Sequence, residues 1–218
     1  MPGLVMDFDG TLTRLDVGDA LCARFAAPPW RELGARYARG ELSLPDAQRQ
    51  MWALFDADRD QACAYAAEVG ALRPGVDALL ARAAELGYAR VLASGGFDFY
   101  IEAILGPARL RQFDRVICNR AVFEGRRVTP HFAEGLACAR CAVCKGEVVA
   151  GCGPGSVFVG DGHSDTCVIG AGARLFAVEG ERLHRAAVAQ GAEVTPFRDL
   201  FEVAAALPPI VRVSSGVR

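Results

Sequence analysis

The sequence predicts an α/β protein in which a doubly wound parallel sheet carries a small helical insertion after its first strand. Short apolar runs at residues 4–6, 89–93 and 157–159 each end in acidic, hydroxyl or glycine residues. Buried strands of open α/β sheets end in this way at the edge where they bind ligands. From residue 73 onward, such strands alternate with helical segments, which favours right-handed crossovers and a parallel sheet.

The predicted domain organisation is a catalytic core built from residues 1–13 and 73–218, with residues 14–72 inserted as a helical cap. Because the insertion directly follows the first strand, it should lie above the strand ends and can cover them. A helical subdomain without any role in substrate binding is the alternative.

Helix caps and breakers divide the insertion into four short helices. Asp16 can cap the first helix, which Pro28 and Pro29 end, and Gly40 ends the second. The predicted helices cover residues 16–25, 30–39, 43–55 and 58–70.

The core elements follow from the same patterns, read along the chain. We expect strands at 1–6, 89–93, 115–118, 157–159 and 173–178, a hairpin-like piece at 121–129 that turns at 124–125, and helices at 75–86, 98–105, 145–149, 181–190 and 199–207. The tail, residues 208–218, is predicted to be extended.

Composition excludes several classes of function. The chain has 218 residues, of which 52% are hydrophobic, enough for one good core with a small appended unit. Its formal net charge is -2, with acidic and basic residues interspersed, so no basic surface for nucleic acid or an anionic membrane is expected. A small-molecule substrate is therefore the expected partner.

Targeting signals and cysteine usage point to the cytoplasm. No apolar stretch approaches the roughly 20 residues that span a bilayer, and residues 1–3 lead directly into a strand. Of the eight cysteines, five lie in apolar contexts and are expected to be reduced core residues. These five are Cys22, Cys63, Cys118, Cys152 and Cys167.

Acidic residues at the end of the first strand are the leading candidates for chemistry. Asp7 and Asp9 follow the apolar run, and Gly10 permits the strand to break, so both carboxylates can reach one small volume. Two acids that repel each other indicate a bound cation or a shared proton, although a solvated turn is the alternative.

Other strand ends carry complementary groups. Ser94 and the Gly95 amide offer donors to an anion at the start of a helix, and Lys145 offers a positive charge. Asp161 and Asp165 add carboxylates after a further strand. Mg²⁺ would suit Asp7, Asp161 and a backbone carbonyl, and the whole set can hold a phosphate that a carboxylate attacks.

Four ordered motifs, at residues 7–13, 94–96, 145 and 160–165, resemble those of the haloacid dehalogenase-like phosphatases. The insertion is similar to the cap of the phosphoserine phosphatase branch of that superfamily. Residues 16–21, residues 97–101 and the cysteine-rich run before Lys145 are most similar to the methionine-salvage phosphatases of 2-hydroxy-3-keto-5-methylthiopentenyl-1-phosphate. Gly10, where phosphoserine phosphatases usually carry serine, argues against a plain phosphoserine enzyme.

This resemblance implies a Rossmann-like core and a two-step hydrolysis. Asp7 would form an aspartyl-phosphate, and Asp9 would serve as general acid and then as general base. The implied metal residues are Asp7, Asp9 and Asp161, and the implied phosphate-binding residues are Ser94, Gly95 and Lys145. Asp165 would orient the metal shell or Lys145. Alternatives are a phosphoserine or a phosphocholine/phosphoethanolamine-type phosphatase, a phosphomutase, and a phosphate-binding module without turnover.

Cysteine spacing suggests a second metal. Cys138, Cys141 and Cys144 are spaced C-x₂-C-x₂-C, as thiolates that share Zn²⁺ can be, and His131 or Cys118 could supply a fourth ligand. A reactive or disulfide-forming group and loosely packed reduced thiols are the alternatives.

Substrate choice must come from the insertion, because the core motifs contact only phosphate and metal. Asp16 and Asp19 could contact polar substrate groups or simply cap a helix. Trp30, Tyr37 and Trp52 are expected to pack the insertion more than to line a pocket. With Arg31, these groups fit a compact substrate with hydroxyl or carbonyl groups and an apolar tail.

Overall fold

A single mixed sheet organises the protein. The computed structural model describes residues 1–134 and 138–210, so the part of the predicted tail beyond residue 210 lies outside the described residues. The strands are β1 (Gly3–Met6), β2 (Ala89–Phe97), β3 (Arg115–Glu124), β4 (Arg127–His131), β5 (Val157–Gly160), β6 (Arg174–Val178) and β7 (Val194–Phe197). Their order in the sheet is β4-β3-β2-β1-β5-β6-β7, and every pairing except β3 with β4 is parallel. The predicted doubly wound α/β class is confirmed.

Helices lie on both faces of this sheet and in the insertion. They are α1 (Val17–Phe25), α2 (Trp30–Ala38), α3 (Leu44–Trp52), α4 (Arg59–Val69), α5 (Val76–Leu86), α6 (Asp98–Leu110), α7 (Lys145–Ala150), α8 (Arg182–Ala189) and α9 (Leu200–Ala206). Within the described part of the chain, none of the helices combines the length and the apolar character that crossing a membrane requires.

Strand β1 lies at the centre of the sheet, between β2 and β5. Met6 pairs with Leu92 on one side and with Val159 on the other. The first residue after β1 is held there too, because the Asp7 amide donates to the Val159 carbonyl at 3.0 Å. The carboxyl ends of three neighbouring strands therefore meet at one edge, on either side of the point where the chain order reverses.

Successive residues of β1 point alternately to two separate parts of the core. Leu4 and Met6 pack on one face, in the cluster that includes α5 and α6 residues, whereas Val5 packs on the other face, with α7 residues. All three are fully buried. Burial on both faces explains why this strand is a continuous apolar run in the sequence rather than an alternating one.

Several elements differ from the predictions made from sequence. Strand β7 was missed, because Pro196 made the pattern look like a loop; an edge strand tolerates proline, since one side needs no hydrogen-bond donor. Strand β2 continues beyond its predicted end to Phe97. The hairpin turn lies at residues 125–126, one residue later than predicted, because Glu124 pairs with Arg127.

The insertion forms a helical layer with its own small core. Cys22, Trp30, Ala47 and Met51 pack there, apart from the two clusters of the sheet. At its base, residues 13 and 72 form an antiparallel bridge, so the chain enters and leaves the insertion at adjacent points. The boundaries of the insertion, 14–72, stay a prediction.

Gly10 should be required at the end of β1 for two reasons. Its φ is +73°, where a side chain is strained, and a Cβ there would also overlap the Asp161 carboxylate. Gly125 has a similar φ, +62°, but its Cβ would meet open space. We expect Gly125→Ala to lower the free energy of unfolding by about 1 kcal/mol and Gly10→Ala to lower it by at least about 1 kcal/mol more. Urea unfolding of the metal-free variants measures both, and equal losses would contradict the proposed overlap.

Candidate active site

The loop after β1 turns back on itself and presents Asp7 and Asp9 at the sheet edge. The Gly10 amide donates to the Leu15 carbonyl at 3.0 Å, which closes the loop. The Thr13 hydroxyl donates to the same carbonyl at 2.8 Å. Glycine and hydroxyl residues thus close the reversal locally, and Arg73 also holds it by donating to the Gly10 and Thr11 carbonyls at 2.6 and 2.9 Å.

Lys145 is the buried cation of the site. Its ammonium lies 3.0 Å from Asp7 Oδ1 and 2.7 Å from Asp165 Oδ1, and it donates to Ser164 Oγ at 2.8 Å. The lysine side chain is only 1% exposed, so these partners replace water almost completely. The first residue of α7 thus bridges the ends of β1 and β5.

Burial and charged neighbours both shift the pKa of Asp7. Burial, followed by the charge of Asp165, raises the pKa of Asp7 to about 7, although Lys145 opposes both effects. Burial alone would lower the pKa of Lys145, but the charges of Asp165 and Asp7 outweigh it and hold that pKa well above its usual value. Lys145 is therefore charged at neutral pH.

Three carboxylates converge where a divalent cation could bind. Asp7, Asp161 and Asp165 each offer an oxygen, and these oxygens lie within 4.8 Å of one another. Burial, Asp165 and Asp7 raise the pKa of Asp161 to about 8. A hard cation such as Mg²⁺ would relieve this repulsion, and carboxylate oxygens are the ligands that it prefers. The donor set thus fits the predicted metal.

Backbone and hydroxyl donors orient two of these carboxylates. Asp165 Oδ2 accepts hydrogen bonds from the Asp161 and Gly162 amides, both at 2.9 Å. Asp161 Oδ1 accepts one from the Thr11 hydroxyl at 2.7 Å. Asp165 is fully buried and paired with Lys145, so its geometry is that of a positioning residue.

The carboxylate of Asp9 lies in a different environment. Oδ2 accepts a hydrogen bond from the Tyr100 hydroxyl at 2.7 Å, and Oδ1 accepts one from the Val17 amide at 2.9 Å. Burial, followed by the charge of Asp16, raises the pKa of Asp9 well above its usual value. The neutral acid is therefore favoured at Asp9. The role of Tyr100 could not be found from sequence, because a tyrosine in an apolar helix normally indicates core packing.

Ser94 and the two glycines after it occupy the end of β2. Ser94 is fully buried, and its Oγ accepts a hydrogen bond from the Gly96 amide at 2.9 Å. Gly95 and Gly96 line the cavity described next, whereas Ser94 lies beneath them and is not among its lining residues. A Cβ at Gly96 would overlap the Tyr100 hydroxyl.

Gly95 does not lie at the start of a helix. The chain stays extended to Phe97, and α6 begins at Asp98, as the sequence predicts. The Gly95 carbonyl accepts hydrogen bonds from Asn119 and Gln48, both at 2.8 Å. These side-chain contacts hold the glycines in the extended form, and Gln48 extends from the insertion to make one of them.

A cavity of about 620 Å³ lies between the insertion and the sheet edge. Its lining includes Asp7, Asp9 and Lys145 of the core, and it also includes Asp16 and Asp19. Asp16 also caps α1, because its Oδ1 accepts the Asp19 amide at 2.7 Å. The two predicted roles of Asp16 are therefore compatible.

Aromatic residues of the insertion line this cavity, although the sequence predicts that they mainly pack the insertion. Trp30, Tyr37 and Trp52 all line it, and the two tryptophans are also buried in hydrophobic clusters. The Tyr37 ring packs against His163, with centroids 5.3 Å apart. Arg182, which sequence reasoning missed, joins the lining with the predicted Arg31.

The cysteine cluster differs from the prediction in its fourth member. The Sγ atoms of Cys138, Cys141 and Cys144 lie within 4.8 Å of one another, and neither His131 nor Cys118 joins them among the described residues. Cys118 packs in the cluster on the other face of the sheet. Cys167, predicted to be a core thiol, packs against the core cluster that contains Val148, and its Sγ accepts a hydrogen bond from the Gly146 amide at 3.3 Å. All eight cysteines are free thiols.

Comparisons with known proteins agree with the family resemblance of the sequence motifs. A family model described as haloacid dehalogenase-like hydrolase matches residues 4–169. A 2-hydroxy-3-keto-5-methylthiopentenyl-1-phosphate phosphatase of Brevibacillus brevis is 28% identical over 169 residues, 74% of this chain and 76% of the relative. A phosphatase of the same name from Exiguobacterium sibiricum is 31% identical over 150 residues, 66% of this chain and 68% of the relative.

Among solved structures, a phospho-aspartyl intermediate analogue of phosphoserine phosphatase matches with a TM-score of 0.71. The match covers 95% of this chain and 100% of that one, at 19% identity. At this level of sequence identity, the similarity is evidence for a shared fold alone.

The site predicts a specific dependence of stability on pH. The pKa values of Asp7 and Asp161 are about 7 and about 8 in the folded protein, against 3.8 as the ordinary value. The folded chain therefore binds more protons over this range, and the stability of the metal-free protein should fall as pH rises from about 4 to about 8, then level off.

Urea midpoints measured across that pH range test this dependence. Asp161→Asn should flatten the upper part of the curve, and Asp60→Asn, at an exposed position of α4, should leave it unchanged. A rise in stability with pH over this interval would contradict the assigned shifts.

Proposed function

The chain belongs to the haloacid dehalogenase-like hydrolase family, and from this premise we propose that it is a Mg²⁺-dependent phosphatase of a small phosphomonoester, acting through an aspartyl-phosphate. The observation that carries the proposal is the position of Asp7, fixed 3.0 Å from the buried Lys145 on the wall of a closed-over cavity. Nucleophile, cation and metal-binding carboxylates lie within one small volume there.

Each residue has a distinct role in the proposed reaction. The Asp7 carboxylate attacks phosphorus, the bond from phosphorus to the ester oxygen breaks, and Asp9 donates its proton to the departing alkoxide. Water then attacks the acyl phosphate, Asp9 accepts the proton from that water, and Asp7 is released with inorganic phosphate. The raised pKa of Asp9 supports the first of its two tasks, since an acid must be protonated before it can donate.

Charge on the transferring phosphoryl group is neutralised by Lys145 and by backbone donors near Gly95. Bound Mg²⁺ supplies further electrostatic stabilisation, and Asp7, the Asp9 backbone and Asp161 would hold it. Ser94 acts from beneath the cavity, where its hydroxyl fixes the Gly96 amide. Asp165 positions Lys145.

The substrate proposed is 2-hydroxy-3-keto-5-methylthiopentenyl-1-phosphate or a similar small phosphoester. Two relatives carry that name, and the cavity matches such a compact molecule in size and chemistry. Residues 14–72 act as the cap that encloses it. Asp16 and Asp19 face its polar groups, while Trp30 and Trp52 offer apolar surface to its tail. A cytoplasmic location stays a prediction.

Replacing the nucleophile should abolish turnover and leave the fold intact. In Asp7→Asn, the amide keeps the shape but cannot form the acyl phosphate, so phosphate release from p-nitrophenyl phosphate should fall at least about 10³-fold. Asp60→Asn should retain full activity. Turnover retained in Asp7→Asn, with a folded protein by circular dichroism, would remove the assignment. Absence of phosphate release from every tested ester would favour a phosphomutase or a binding module instead.

A panel of small phosphomonoesters, compared by kcat/KM, tests the substrate. We expect the methylthio-keto-pentenyl phosphate to exceed phosphoserine, phosphocholine, phosphoethanolamine and nucleotides, because the cavity combines polar and aromatic lining. A tenfold preference corresponds to about 1.4 kcal/mol in transition-state binding. If phosphoserine were preferred by this margin, the substrate proposal would be wrong while the phosphatase assignment would stand.

A further inference from the structure

Four cysteine thiols lie beside the site without a role in the proposed phosphatase reaction. Cys138, Cys141 and Cys144 come from the segment before α7, and their sulfur atoms lie within 4.8 Å of one another. Cys167 comes from the short helical turn His163–Val168, which packs against α7, and its sulfur lies outside this group of three. The four cysteines thus come from two parts of the chain that are separate in sequence.

A backbone amide fixes the direction of one of these sulfurs. The Gly146 amide, two residues after Cys144, donates to Cys167 Sγ at 3.3 Å. A donor at this position stabilises a thiolate, as the outer hydrogen bonds of a metal site do.

We propose that Cys138, Cys141, Cys144 and Cys167 form a structural Zn²⁺ site. Four soft sulfur ligands in a closed set suit tetrahedral Zn²⁺, whose Zn–S distance of about 2.3 Å places sulfurs about 3.8 Å apart. Three of the sulfurs lie within 4.8 Å of one another, and Cys167 supplies the fourth ligand from the neighbouring turn. Binding releases the thiol protons to solvent, and no electron is transferred.

An ion can reach the cluster from the surface. A second cavity, of about 270 Å³, is lined by Cys138 and Cys141 as well as by residues of α3 such as Arg49. Cys144 is buried and closes the inner side. The arrangement is therefore accessible at one end and enclosed at the other.

The site would fix the position of the catalytic lysine. Lys145 follows Cys144 directly, and its partner Asp165 precedes Cys167 by two residues, so one ion would hold both members of the ion pair. The same segment also contacts the insertion, since the Leu44 amide donates to the Arg140 carbonyl at 3.0 Å. Zinc here is structural: it contacts neither the phosphate nor the nucleophile.

Zinc content provides the first test. Protein produced in zinc-supplemented medium and purified without chelator should contain about one zinc per chain by mass spectrometry of the metal. Cys167→Ser should lose most of this zinc on dialysis against a weak chelator. Cys118→Ser and His131→Ala remove the ligands that spacing alone suggested, and both should retain it.

Cobalt substitution tests the number of sulfur ligands. The sulfur-to-cobalt charge-transfer absorption of the full-length protein should fall in Cys167→Ser in proportion to the one thiolate removed, and it should be unchanged in Cys118→Ser. Metal removal, with Mg²⁺ restored, should lower Tm by at least about 4 °C.

Three results would overturn the proposal: no zinc in the wild-type protein, a cobalt spectrum insensitive to Cys167→Ser, or a disulfide among the four cysteines in freshly purified protein. If Cys167→Ser does not fold, alkylation of the wild-type protein decides, because bound zinc should protect these four thiols and leave Cys63 reactive. A different measurement would overturn the phosphatase proposal, namely the absence of phosphate release.

Discussion

A buried ammonium between carboxylates is the interaction on which this structure depends. Lys145 lies almost fully out of water, with Asp7 and Asp165 within 3.0 Å. Losing one partner of such a group leaves an uncompensated buried charge, which costs about 3–5 kcal/mol. The same contacts orient Asp7 and place a positive charge at the edge where three carboxylates converge. The proposed chemistry would therefore depend on the atoms that stabilise the fold.

Negative charge nevertheless exceeds positive charge at this edge of the sheet. Three carboxylates converge there, and one lysine offsets them only in part; burial and this repulsion together raise the pKa values of Asp7 and Asp161. A divalent cation would complete the balance, which would couple metal affinity to the acid-base state of the site. Asp9 stays outside this group because Tyr100 and the Val17 amide direct its carboxylate elsewhere. Two carboxylates that are two residues apart in sequence therefore lie in different environments.

The insertion is tied to the core at several points around the cavity. Gln48 reaches the Gly95 carbonyl, Tyr37 packs on His163, and the Asp56 carboxylate pairs with Arg126 at 2.6 Å. Gln48 and Tyr37 thereby contact the sheet edge at Gly95 and His163, and all four residues line the same cavity.

The sequence by itself determined the order of most elements, the edge at which chemistry takes place, and the residues Asp7, Asp9, Lys145 and Asp161 as candidates. Apolar runs that end in polar residues can be recognised within a short stretch of sequence. Such local patterns are enough to predict these elements and candidate residues. Tertiary structure alone decided that Pro196 lies in an edge strand, that Gly95 stays extended, that Tyr100 contacts Asp9, and that Cys118 lies apart from the three clustered cysteines. Each of these depends on which face of an element meets a distant segment, and the chain acquires that relation only when the sheet assembles.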